Sequence, residues 1–183
     1  MQNKIMCLFK RKKNENNLPD GKLVFYDGVD GVFDGVSDYE FVDLGLSVKW
    51  ANKNVGSELP DKVGVYFNYD EVESRYYTLP TVDEVRELFE KCKIKYDKKR
   101  NGFDVMGVND NSIFLPISGE RDGNAHYEGS YFWTCDSRQI WDEELSNYYG
   151  AVYLANKALK KVKTEVNLLR RSMFYINVRE VER

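Results

Sequence analysis

The chain of 183 residues contains one histidine and three cysteines, and these set what catalysis it can support. Any Ser-His or Cys-His arrangement has to run through His126. That histidine stands in the polar turn Asn-Ala-His-Tyr-Glu-Gly at 124–129, a setting for a surface imidazole rather than a general base. Zinc asks for more nitrogen or thiolate ligands than His126, Cys7, Cys92 and Cys135 supply at such scattered positions. The same three cysteines make no disulfide framework, so reduced thiols are expected. Cys92 reads as a small core residue, and a Cys92–Cys135 bridge stays open. No catalytic residue, metal or cofactor is assigned, and the chain is read as a non-enzyme.

Two stretches offer oxygen ligands. Asp-Gly-Val recurs at 27–29, 30–32 and 34–36, and Glu120, Asp122 and Asn124 crowd the turn after Gly119. Calcium takes carboxylates on flexible turns, but the Asp-Gly-Val stretch lacks an EF-hand spacing and its terminal bidentate Glu, and at 119–124 Arg121 and Asp122 can instead bond the backbone or each other. Asp beside Gly is also a common tight-turn pair, and turns between short strands are the expectation for both.

Binding chemistry is better represented. The acidic-aromatic stretch Asp136–Tyr149 carries Trp141, Tyr148 and Tyr149, with Asp142 and Glu143 as polar partners and Tyr127 and Tyr131 nearby. Large amphipathic rings on a loop stack on sugars or anchor protein contacts. The alternative is that these rings are ordinary core or strand pairs.

Such a loop needs a frame, and its clearest part is Leu79–Cys92. Thr81 is a good N-cap, Glu84 completes a capping box, and Pro80 disfavours helical geometry in Leu79. Val85, Leu88, Phe89 and Cys92 then form one apolar stripe. The stripe is expected to pack on a sheet that includes Ile113–Leu115. Strand-like runs flank Gly45 (Phe41, Val42, Leu44; then Leu46, Val48, Trp50), and Val63, Val65 and Phe67 alternate before an acidic segment. A polar connection through Asn101-Gly102 follows the helix, and Pro116 is expected to break the ladder of the strand at 113–115. Gly129–Trp133 reads as a short aromatic strand, and Val162, Thr164, Val166 and Leu168 alternate as another. Phe174, Ile176 and Val178 are expected to close the fold as a strand. Residues 151–162 carry apolar positions at helical spacing, in conflict with a strand.

Net charge is −3 overall, +5 within residues 1–13 (Lys4, Lys10, Arg11, Lys12, Lys13) and therefore −8 for the remainder. An acidic body argues against nucleic acid as its partner. No apolar run approaches the roughly 20 residues of a membrane-spanning helix. Ile5–Phe9 is too short for the apolar region of a signal peptide, so a cytoplasmic or virion-associated protein is expected rather than a secreted one. Residues 1–39 are expected to form a basic tail and an Asp-Gly-rich extension, the tail being either a flexible arm or a short interfacial anchor.

VDLGLSVKWANKNVG (42–56), GVYFNYDEV (64–72), LPTVDEVRELFEKC (79–92), NSIFLPISGERDG (111–123), GSYFWTCDS (129–137) and INVREV (176–181) occur in order. Together they resemble the Fibrobacter succinogenes major paralogous domain, a module plentiful in Bacteroidetes surface proteins, over residues 40–183. The resemblance implies an α+β, C-type-lectin-like fold: short twisted antiparallel strands, one or two helices, long loops and paired chain ends. It also implies no established enzyme activity, a role in recognising surface ligands, and a strand rather than a helix through about Ala155. The chain departs from the pattern at Tyr69-Asp70-Glu71, where the family usually has Trp-Gly-Glu, and at Trp133-Thr134-Cys135, where it has Trp-Ser-Ser. Two functions follow as expectations. One is a recognition module for a glycan or protein through the loop aromatics. The other is a structural or decorating protein of a Bacteroidetes phage virion, in contact with other copies.

Overall fold

A computed structural model describes residues 39–75, 77–119, 129–138, 148–155, 164–170 and 175–183. The described chain is α+β, with two short helices and three small antiparallel sheets. The expected tail and Asp-Gly-rich extension lie outside the described residues, apart from Tyr39.

The helix anticipated around residues 79–92 spans Val82–Lys91 (α2). Thr81 accepts from the Glu84 amide while the Glu84 carboxylate accepts from the Thr81 amide, so the capping box closes in both directions. Cys92 is the C-cap, and its extended backbone turns the chain directly into the next strand. Val85, Leu88 and Cys92 are buried with Phe103, Val105, Ile113 and Leu115, and Phe89 packs half-buried at the margin. The expected apolar stripe therefore meets the expected sheet.

That sheet is an antiparallel meander of Lys93–Asp97 (β3), Gly102–Met106 (β4) and Ser112–Pro116 (β5). Here the sequence reading needs correcting, because the polar connection expected after α2 is a β-hairpin. Ile94 and Tyr96 alternate inward beneath a lysine-rich outer face that conceals the strand period. Asn101 takes the left-handed conformation, φ 55°, in the turn. Gly102 has to lack a side chain because a Cβ there would collide with the Phe114 ring. The ladder ends at Pro116 as expected, with the proline itself the last paired residue, opposite Gly102.

Phe41–Val42 (β1) and Lys49–Ala51 (β2) form the second sheet, completed by Val181–Glu182 (β9). Only these parts of the runs flanking Gly45 pair as strands. The segment after Phe67 is a helix, Tyr69–Ser74 (α1), capped by a reciprocal Asn68–Glu71 box.

Gly129–Arg138 (β6), Tyr148–Ala155 (β7) and Thr164–Arg170 (β8) make the third sheet. The strand expected through Ala155 is present, against the local helical spacing, because β7 is paired on both sides. The register of β6 shifts between Trp133 and Ser137, which marks a bulge. Alternate residues of β6 serve two cores: Phe132 joins the cluster with Trp50 and Leu88, while Tyr131 and Trp133 join one with Phe67, Val72 and Val178.

The C-terminal segment ties these parts together. Its expected closing strand at 174–178 is instead a run of single bridges, among the described residues Ile176 to Phe67 and Asn177 to Phe132, with Phe174 outside the described residues. The Val55 amide then donates to Val178, the Ala51 amide to Glu180, and the Val181 amide to Thr78. β9 finally pairs with β2, which brings the end of the chain beside its early strands.

Candidate functional site

Of the binding residues chosen from sequence, Trp141, Asp142 and Glu143 lie outside the described residues. So do Tyr127, His126, Glu120, Asp122, Asn124 and the Asp-Gly repeats. Tyr148 and Tyr149 are described, and they open β7 instead of ending a loop. Tyr148 stands across from Arg138 on β6 and Arg170 on β8; Tyr149 stands across from Ser137 and Leu169. The strands therefore take up both ends of the stretch assigned to a loop, and the connection between them is residues 139–147. Tyr131 is removed from the candidate surface: it is buried in the second core.

The end of β6 that leads into residues 139–147 is tied to the helix. The Asp136 carboxylate accepts from the Val82 amide, so a negative charge sits at the positive end of α2. The Cys135 amide donates to the Pro80 carbonyl at 2.9 Å, fixing the same corner from the backbone side. Arg183 reaches the helix start too, bonding the Leu79 carbonyl at 3.0 Å and the Glu84 carboxylate at 2.8 Å. Each of these charges is committed to holding β6 and the chain end against α2.

Thiol chemistry also changes. Cys92 is free and buried, and Cys135 is disulfide-bonded, so the two do not pair and the expectation of reduced thiols fails for Cys135. Burial pushes the Cys92 thiol up, and Glu87 adds to the shift, so a thiolate is disfavoured there. Among the described residues, no three or more His, Cys, Asp or Glu side chains are grouped to hold a metal ion. None of the described helices is long and apolar enough to cross a membrane.

Two ionic arrangements escaped the sequence reading. Glu87 accepts from Lys91 at 2.7 Å through one oxygen and from the Ser47 amide and hydroxyl through the other. These bonds, that of Lys91 foremost, hold its carboxyl down at about 2. Arg179 is completely buried and donates to two backbone carbonyls, with its Nε unpartnered. Burial lowers its pKa to about 9, still above neutral, so it remains a buried cation. A helical i, i+4 pair signals Glu87–Lys91, whereas nothing local signals that Arg179 points inward.

No family model, curated protein or solved structure matches the chain. What the fold itself defines is an α+β protein with a paired β6–β7, in which β7 carries Tyr148 and Tyr149 of the candidate binding residues.

Proposed function

We propose that the chain is a non-enzymatic recognition module of C-type-lectin-like fold, related to the Fibrobacter succinogenes major paralogous domain. It binds a glycan or a protein through Trp141, Tyr148 and Tyr149, with Asp142 and Glu143 as polar partners. The observation that carries this reading is the pairing of Arg138 with Tyr148, which brings together the two strands that flank residues 139–147 in sequence. A strand pair bonded to a helix through Asp136 is the kind of support on which recognition residues are presented. The ordered motifs of the family, with the closed Thr81–Glu84 box and the β2–β9 pairing of the chain end, support the kinship.

Acidic neighbours of Trp141 bias the patch towards neutral or basic ligands. Glycan and peptide arrays probed with the intact chain supply the ligand. Trp141→Ala is then expected to weaken binding by about 2 kcal/mol or more with little change in melting temperature. Loss of stability with binding altered only through unfolding would retire the site.

A further inference from the structure

The strongest unassigned feature lies on the hairpin that follows α2. Residues 91–100 hold six cations, Lys91, Lys93, Lys95, Lys98, Lys99 and Arg100, against one acid, Asp97. They form a basic island on a body whose charge outside residues 1–13 is −8. Two of the six are spoken for: Lys91 pairs with Glu87, and Arg100 with Asp97 and Asp104 while lying over the Phe114 ring. The side chains of Lys93, Lys95, Lys98 and Lys99 are exposed, and their amines make no hydrogen bond or ion pair with the described residues; the Lys99 backbone amide donates to Asp97.

One edge of the backbone beneath them has no strand partner among the described residues. β3 is the outer strand of its sheet, paired with β4 alone among the described residues. Its inward residues Ile94 and Tyr96 pack on the core, which holds the strand flat against the body. Lys93 and Lys95 occupy the opposite face two residues apart; Asp97, next on that face, is neutralised by Arg100, and Lys98 and Lys99 lie in the adjoining turn.

We propose that the free edge of β3 is a docking site for an acidic protein segment, which adds to the sheet as an extended strand with carboxylates at alternate positions. Residues at i and i+2 of an added strand fall opposite Lys93 and Lys95, where opposite charges across a strand pair are favourable. Acids further along meet Lys98 and Lys99. The unpaired edge selects a peptide over other polyanions, because an extended polypeptide backbone completes its hydrogen bonds.

The test uses the intact chain and a synthetic peptide of about ten residues alternating Glu with Val or Thr. Binding is followed by fluorescence anisotropy and backbone amide chemical shifts at about 0.15 M salt. The expected result is binding with amide shifts centred on residues 93–97. Lys93→Glu with Lys95→Glu lowers the affinity about tenfold or more and transfers preference to a Lys-alternating peptide. A thermal melt establishes that the double variant is folded. A second arm needs no protein variant: proline at alternate peptide positions removes the backbone donors and abolishes binding. Undiminished binding of the proline peptide, or equal binding of heparin at matched charge, would show simple charge attraction and overturn strand addition. No binding of the Glu peptide would mean that the lysines only guard the edge, and would overturn the site.

Discussion

The guanidinium Nη1 of Arg179 donates to the carbonyl oxygen of Ala51 at 2.9 Å, in a place fully closed to solvent. Its other terminal nitrogen donates to the Phe114 carbonyl at 3.0 Å, so one side chain joins β2 to β5, two strands of different sheets. A planar fork with fixed donor directions suits this task, and a lysine ammonium on a flexible stem does not. Arg179→Ala is expected to cost about 3 kcal/mol or more, since it opens a cavity and orphans two carbonyls. Arg179→Met keeps the volume and relieves the buried charge, and should lie between the two. Urea denaturation of the three proteins checks the order. A Met variant more stable than the parent would mean that the desolvation cost exceeds the two bonds.

Leu88 is the centre of the α2 stripe and is completely buried. Leu88→Ala should cost about 2–5 kcal/mol if the space cannot collapse. Thr81→Ala at the cap of the same helix should cost about 1 kcal/mol. Thermal melts that fail to separate these two variants from the parent would contradict the docking of this helix.

The contrast between α2 and β3 shows what the sequence makes legible. Thr81, Glu84 and the Val85–Leu88 stripe state a helix locally, in residues whose period and caps agree, and the structure keeps it. β3 is equally periodic, but its outward positions are lysines and its inward ones are only half-buried, so polarity hid a strand that pairing with β4 creates. α1 was hidden in the same way: its Asn68–Glu71 box is a local signal, yet the acidic composition after it masked the buried Tyr69 and Val72. β7 is the opposite case, where neighbouring strands on both sides prevail over helical spacing. Pairings between distant segments, such as Phe132 with Asn177, have no local signal. For the candidate site, sequence supplied the residue types but misjudged the frame: Tyr148 and Tyr149 are strand residues, and Tyr131 belongs to a core.

Thiol reactivity separates the two described cysteines. Cys92 is buried with its thiol pushed up, and Cys135 is already in a disulfide. Native protein without reductant should therefore show no iodoacetamide label at either position by peptide mass mapping. Denaturation alone should expose Cys92, and only added reductant should release Cys135. Labelling of Cys135 in native, unreduced protein would contradict the disulfide.

Glu87 predicts how acid acts on the fold. Its carboxylate joins the β1–β2 turn, through Ser47, to α2, through Lys91. The folded carboxyl titrates at about 2, against an ordinary value of 4.5, so the unfolded chain takes up this proton first on acidification. The contribution is accordingly complete above about 4.5 and is lost as pH falls towards about 2. Glu87→Gln removes the titrating group and keeps much of the shape. The parent should be the more stable of the two at pH 6, and the gap between their unfolding free energies should narrow steadily below about pH 4.5. Urea unfolding of both proteins between pH 2 and 6 measures this directly. A gap that does not change with pH would show that the carboxylate's charge contributes nothing to holding the turn on the helix.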